Sequence, residues 1–401
     1  MAVASRGGRR THRLVAPASV LRRGACLSRK RKSRFGWIFV LSALLVGAAA
    51  YWAFDRYAGF ADAPLASAKT DASIVVARGD SFASVLGKLH AAGESPARDM
   101  EWRLLARQLG TAGHLQVGEY ALGPGTTPRD LLVRMRDGKV ISRRFTIVEG
   151  WNIRQLRAAL AKAMPLEHET AALDDAALMA KLGFAGQHPE GRFLPETYLY
   201  TRGDSDLDVL ARAHAAMQQA LDEAWKTRAP GLPLKSQDEA LTLASIVEKE
   251  TGVAEDRARI AGVFVNRIAK GMRLETDPTV VYGLGTRYDG NIRKRDLQAD
   301  NPYNTYRIAG LPPTPISMPG KAALQAVTHP APGNVVYFVS SGDGSGRSLF
   351  AATYAEHQAN VRAYLARYRA GLAKGPLTGT ATSDDAAPAP TSTTTPAGSP
   401  P

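Results

Sequence analysis

The chain has 401 residues, 45% of them hydrophobic and 22% charged, with a formal charge of +14 and a single cysteine. One cysteine excludes a disulfide-stapled fold, and a chain of this length and apolar content can build its own core in more than one domain. The charge does not mark the main body as a nucleic-acid binder: residues 1–34 carry eleven Arg and Lys and no acid, and without them the other 367 residues keep only +3.

The basic leader, 1–34, runs into twenty uncharged residues, Phe35 to Phe54. At ~1.5 Å per residue they reach ~30 Å, one bilayer core. The expectation is a transmembrane helix over 35–54, with Trp37, Tyr51 and Trp52 near its ends as interfacial aromatics. The excess of Arg and Lys keeps the leader cytoplasmic, next to anionic lipid headgroups, and sends the remainder across the membrane. A cleaved signal peptide and a buried core helix are the rival readings; the long span and long basic lead argue against both. The one cysteine, Cys26, falls in the leader, so the exported part has no thiol nucleophile.

Residues 55–72 read as a small, polar stalk. Ser73-Ile74-Val75-Val76-Ala77 then has β character, Asp80 is placed to cap a helix with Phe82, Val85, Leu86 and Leu89, and a second helix with Trp102, Leu104 and Leu105 follows Ser95-Pro96. Leu115 to Tyr120, the turn Gly123-Pro124-Gly125 and a helix over Pro128 to Met135 complete a βααβ pattern across 73–139 that resembles a LysM-like module, a small peptidoglycan-binding fold. A generic α+β linker domain has the same pattern. Val140 to Val148 is β-rich and ends at a hinge, Glu149-Gly150. Residues 153–182 read as mostly helical, Gly191 to Tyr198 as a structured loop that includes Glu196, and Leu207 to Ala229 as helix. The catalytic domain spans 140–370, and the Ala, Thr, Ser, Pro and Gly of 371–401 cannot build a core and read as disordered. The expected fold class is α+β.

Ser236 and Glu239 form a capping-box pair that starts a helix running to Glu248-Lys249-Glu250-Thr251. At about 100° per residue Glu250 shares the face of Leu243, Ile246 and Val247, whereas Glu248 points elsewhere. A carboxyl group directed into apolar surroundings has a raised pKa, which suits a general acid; a helix-end glutamate paired with an Arg would fit the same spacing. A second helix, Glu255 to Lys270, carries Asn266 and Arg267 beside its apolar stripe and stops at Gly271. In the following segment, which includes Thr276 and Tyr282, Pro278 stiffens a loop in which Asp277 offers a second carboxylate, either for glycoside hydrolysis or merely as a turn former. The proline-rich stretch 301–320, with Tyr303 and Asn304, fits a sugar-binding wall or a structural Ω-loop. Ser245 lacks a Gly-x-Ser-x-Gly context, the eight histidines are scattered without ligand spacing, and Gly342 to Gly346 lacks a P-loop lysine and reads as a hairpin tip between strands at 335–339 and 348–351. No cofactor or metal is expected.

Leu-Ala-Ser-Ile-Val-Glu-Lys-Glu-Thr (243–251), Val-Phe-Val-Asn-Arg-Ile (263–268), Gly-Met-Arg-Leu-Glu-Thr-Asp-Pro-Thr-Val-Val-Tyr-Gly (271–283), Tyr-Asn-Thr-Tyr (303–306), Gly-Leu-Pro-Pro (310–313) and His-Pro (329–330) together resemble the YceG-like endolytic murein transglycosylases. The resemblance implies an enzyme of the inner membrane with its catalytic domain in the periplasm. It implies cleavage of glycan strands between N-acetylmuramic acid and N-acetylglucosamine with formation of a 1,6-anhydro end, and peptidoglycan synthases as partners. It also implies Glu250 as sole acid and base, which lowers Asp277 to a positioning role beside candidate substrate contacts Asn266, Thr276, Tyr282, Tyr303, Asn304 and Glu196. A hydrolytic muramidase using Glu250 and Asp277, and a non-catalytic wall-binding scaffold, are the competing readings.

Overall fold

The computed structural model describes residues 34–66, 72–94 and 98–373. The basic leader with Cys26, the Ser95-Pro96 step and the Pro/Thr tail lie outside the described residues. The chain divides into two units, Met1–Asp62 and Ala63–Pro401.

The first unit holds helix α1 (Arg34–Ala61), whose Gly36–Ala61 stretch is long and apolar enough to cross a membrane, with a mean hydropathy of 1.9. Its large apolar side chains, Trp37 through Phe54, are exposed. The helix does not stop where the charge-free run does. Asp55 and Arg56 continue it, with the Arg56 guanidinium 5.6 Å from the Trp52 ring centre, and Gly59, expected in the stalk, is helical. Nothing between Phe54 and Ala61 breaks the backbone hydrogen bonding, and Pro64 is the first residue that would.

In the second unit β1 (Ser73–Val76), α2 (Phe82–Ala91), α3 (Asp99–Gln108), β2 (Gly118–Ala121) and α4 (Pro128–Asp137) follow in the expected order, with β1 and β2 antiparallel and Ile74 opposite Tyr120. Val85, Leu86, Leu89, Trp102, Leu105, Tyr120, Leu131 and Leu132 are buried. The cap of α2 is Ser81 rather than Asp80. Ser81 accepts from the Ser84 N–H, and Asp80 sits one residue too early, accepting from the Ala77 N–H and the Ser84 hydroxyl and pairing with Lys88. Glu119 ties this segment to the next. Burial would raise its pKa, but hydrogen bonds from Ser73, Arg143 and Arg202 outweigh burial and hold the carboxyl at about 2.

Strand β3 (Arg143–Thr146), helices α5 (Ile153–Leu160) and α6 (Asp175–Lys181), and strand β4 (Thr197–Tyr200) come next, with β3 and β4 antiparallel. The helical stretch expected over 153–182 is interrupted because Pro165 cannot continue α5. The last two residues of the loop expected at 191–198, Thr197 and Tyr198, are the start of β4. Helices α7 (Asp206–Lys226), α8 (Gln237–Glu250), α9 (Ala254–Ala269), α10 (Asp277–Leu284), α11 (Lys294–Gln298) and α12 (Lys321–Thr328), the antiparallel pair β5 (Tyr337–Ser340) and β6 (Ser348–Ala351), and α13 (Tyr354–Ala373) complete the unit. The Gly-rich stretch 342–346 is the hairpin tip its composition indicates.

Helix α8 is the centre of the larger core, packed against α7, α9, α10 and α12. Every residue from Ala240 to Val247 is buried, so the helix has no solvent face there and its apolar periodicity is weaker than an amphipathic reading assumes. Ser236 caps it by accepting from the Glu239 N–H, but Glu239 reaches back to the Lys235 N–H instead of closing a capping box on Ser236.

Ser245 explains how α8 is held. Its buried hydroxyl donates to the Thr242 carbonyl (2.7 Å) and accepts from the Ile316 N–H (2.9 Å), while its carbonyl accepts from Ser317 (3.0 Å). The stretch 315–320 is therefore interior packing and not the exposed wall that its prolines suggest. Ser245→Ala strands the buried Ile316 N–H. A loss of about 1–3 kcal/mol is expected, to be measured by chemical denaturation; an unchanged midpoint would remove Ser245 from this role.

Candidate active site

The last residue of α8 is Glu250. The chain leaves it extended at Thr251, whose hydroxyl accepts from the Val253 N–H (2.9 Å) and starts the turn into α9. Glu250 therefore sits at the end of a buried helix, where the carbonyl ends of the helix dipole disfavour a negative charge.

Its partners come from a distant segment. The Thr276 hydroxyl donates to Oε1 of Glu250, and Oε2 is buried without a hydrogen-bond partner. Burial drives the carboxyl up to about 7, the Thr276 bond and Arg267 pull it down, and the Asp277 charge pushes it up. A carboxyl group in this state is half protonated near neutral pH, with one oxygen unengaged. That is a proton donor of the right strength for a glycosidic oxygen.

Thr276 is delivered by a strained turn. Glu275 has φ of 53°, a left-handed backbone that side chains with a Cβ rarely adopt. Arg267, buried in α9, holds that turn: its guanidinium donates to the carbonyls of Arg273 (3.0 Å), Leu274 (3.0 Å) and Val336 (2.7 Å) and to the Glu275 carboxylate (3.1 Å). Thr305, also buried, accepts from the Thr276 N–H (3.0 Å). Asp277 and Pro278 are the first turn of α10 rather than a stiffened loop, since proline at the start of a helix loses no internal hydrogen bond. The Asp277 carboxylate accepts from the Tyr306 hydroxyl (2.7 Å), and Tyr306, whose own pKa is raised by burial and then by Asp277 and Glu250, completes the cluster.

Of the residues singled out in the sequence, Thr276 and Asp277 meet Glu250. The others are engaged elsewhere. Asn304 is buried, and its amide donates to the carbonyls of Asp296, Leu297 and Ala299 while its oxygen accepts from the Tyr306 N–H, so it shapes its own loop. Asn266 donates to the carbonyls of Gly333 (3.1 Å) and Val335 (2.9 Å), joining α9 to the approach to β5. Glu196 pairs at the surface with Lys321 (2.8 Å). Tyr303 hydrogen-bonds Thr314 (2.8 Å) and packs its ring 4.8 Å from that of Tyr282. Glu248 accepts from the Gly320 N–H (2.9 Å), away from the contacts of Glu250.

Four contributors were not singled out as site residues in the sequence. Arg267 left a trace there, as a cation flanked by the apolar stripe of α9. Tyr306 and Thr305 left none of their own. The fourth is Glu190, fully buried behind Tyr282, which accepts from the Ile153 N–H (3.1 and 3.2 Å) and from the Tyr282 hydroxyl (3.0 Å), and which burial drives up to about 7. Its one local signal is its place before Gly191, whose φ is +78° and where a Cβ would stand 2.6 Å from the Pro315 side chain.

Over 271 residues the chain is 31% identical to the endolytic murein transglycosylase of Bacillus subtilis, covering 63% of this chain and 74% of that one. Over 284 residues it is 27% identical to the endolytic murein transglycosylase of Streptococcus pneumoniae, covering 62% of this chain and 50% of that one. A solved YceG-like protein from Listeria monocytogenes superposes with a TM-score of 0.46 at 27% identity, over 73% of this chain and 99% of its own. The YceG-like family profile matches residues 74–363, which hold Glu250, Thr276 and Asp277, and the chain belongs to the YceG-like family.

Proposed function

We propose that the protein is an endolytic peptidoglycan transglycosylase in which Glu250 acts first as acid and then as base. The observation that carries this reading is the Glu250 carboxyl, held by Thr276 through one oxygen and buried without a hydrogen-bond partner at the other. The names of the two curated relatives support the same reaction class.

In the first step the protonated Glu250 gives its proton to the oxygen between muramic acid and glucosamine, and the C1–O bond breaks as positive charge develops at C1. In the second the ionised carboxylate takes the proton from the muramyl C6 hydroxyl while that oxygen bonds to C1, closing the 1,6-anhydro ring. The proton count balances without water, and Glu250 ends as it began. Thr276 stabilises the ionised form between the two steps, and Asp277, held by Tyr306, places a negative charge beside the developing cation. The muramidase reading gives Asp277 a chemical role instead, and the products distinguish the two: reducing muramic ends instead of anhydro ends in mass spectra of digested peptidoglycan would replace the transglycosylase reading.

Helix α1 anchors the chain as a single-pass helix in the inner membrane with the catalytic part in the periplasm, and 73–139 is a LysM-like wall-binding module. New strands beside the membrane are the substrate, near the synthases that make them.

Glu250→Gln is expected to lower the rate of strand cleavage by at least about 10²-fold, as loss of a positioned general acid does; wild-type turnover by this variant would remove Glu250 from the chemistry. Thr276→Val deletes a bond that favours the ionised carboxyl, so the alkaline limb of the kcat/KM profile, expected near pH 7, should move to higher pH while kcat falls. An unmoved limb would separate Thr276 from Glu250. Glu250 also predicts a stability signature. Its folded pKa lies above the ordinary value of 4.5, so below pH 4.5 both states are protonated, and the folded state is penalised progressively as pH rises through about 7. Glu250→Gln removes that penalty, and its Tm advantage over the wild type should grow between pH 4.5 and 7 by on the order of a few °C, then level off.

A further inference from the structure

A pocket of 230 Å³ lies one residue from the site along both of its strands of chain: Lys249 precedes Glu250, and Pro278 follows Asp277. Val281 and Tyr282 on α10, and Asn152 and Arg154 at the start of α5, also line it. Arg154 and Lys249 are its charged residues, and no acid lines it. Among the described residues neither cation makes an ion pair. Lys249 donates only to the Gly150 carbonyl, at a long 3.3 Å. The Arg154 guanidinium lies against Gly285, where a Cβ would stand 3.1 Å from Nη1 and where φ is +60°, so glycine at the end of α10 leaves room for the guanidinium in the pocket.

Glu248, beside Lys249 in sequence, accepts from the Gly320 N–H, and the acid whose charge acts on Arg154 is Glu190, behind Tyr282. Glu190 does not neutralise the two cations, because both of its oxygens are engaged by Ile153 and Tyr282 and its raised pKa leaves it partly uncharged near neutrality. The pocket therefore presents two unpaired cations, one of them a planar fork suited to a carboxylate, beside a tyrosine whose hydroxyl is already committed.

We infer that this pocket binds a carboxylate of the stem peptide carried by the muramic acid next to the cleaved bond, with Arg154 as its main contact and Lys249 as its second. The inference rests on the proposed glycan reaction. The N-acetylated sugars of the strand are neutral, and the lactyl group of a stem-bearing muramic acid is consumed as an amide. The free carboxylates of the stem are then the anions that a strand in the site brings near Glu250. The carboxylate belongs to a part of the substrate that does not react, so its contact is equal in ground and transition states and acts mainly through KM.

The test uses the full chain in detergent with defined, uncross-linked strands in two forms: stems intact, and the same stems with their carboxylates converted to methylamides. The wild type is expected to cleave intact strands with kcat/KM roughly tenfold higher, the scale of one charge-assisted contact, with most of the difference in KM. Arg154→Gln should bring the ratio of the two substrates close to one with kcat on intact strands kept, and Arg154→Lys should restore part of the ratio. The Tm of each variant checks that the fold is retained; Arg154 is exposed, so no loss is expected. If the wild type cleaves both forms equally, or Arg154→Gln keeps the preference, the carboxylate subsite is wrong while the transglycosylase reading stands. If the wild type cleaves neither form, the reaction itself is wrong and the subsite falls with it.

Discussion

Helix α8 is surrounded on all sides by α7, α9, α10 and α12, and it ends on a carboxyl group. Burial of that group is the constraint to which the neighbouring structure answers. A charge there is opposed by lost hydration and by the carbonyl end of the helix, so the protein must either neutralise Glu250 or supply donors. It supplies one donor, Thr276, and leaves the second oxygen without one. A fully satisfied carboxylate would be a stable anion and a poor acid. A wholly unsatisfied one would hold its proton too tightly to give it up.

That single donor depends on a chain of supports with little tolerance. Thr276 stands beside a left-handed residue, Glu275, and the turn is held by the buried guanidinium of Arg267 and by Thr305. A guanidinium suits this position because its donors lie in one plane and it cannot lose its proton, so four acceptors from two segments are fixed by one side chain. The apolar core secures α8 and α9, and the polar turn is secured by hydrogen bonds that the core protects from water. In the proposed reaction, stability and reactivity therefore meet in the same few residues.

The second buried acid, Glu190, shows the contrasting solution. It is fully buried and its pKa is raised to a value similar to that of Glu250, but both of its oxygens accept hydrogen bonds. It orders the start of α5 and the Tyr282 ring. Two carboxyl groups in one fold thus share a burial penalty and differ in whether an oxygen is left open. This difference bears on which of them is reactive.

By itself, the sequence determined what depends on near neighbours and on motif order. The apolar run of α1, the Ser236 cap, the position of Glu250 at the end of its helix, the hairpin after 335 and the family were all legible, because caps, turns and periodicity act over a few residues. The limits of that reading are visible in Asp80, displaced by Ser81 as a cap, and in α1, which continues through two charges because nothing there breaks a helix. Only the tertiary structure decided which polar groups meet Glu250. Thr276 and Tyr306 stand 26 and 56 residues away from it, and the direction of each side chain is set by a left-handed turn, a buried arginine and the path of the 301–320 segment. Asn266 and Asn304 have the chemistry of substrate contacts, but backbone carbonyls packed beside them take their donors first. Hydrogen-bonding capacity is written in residue type; the partner that satisfies it is chosen by the fold.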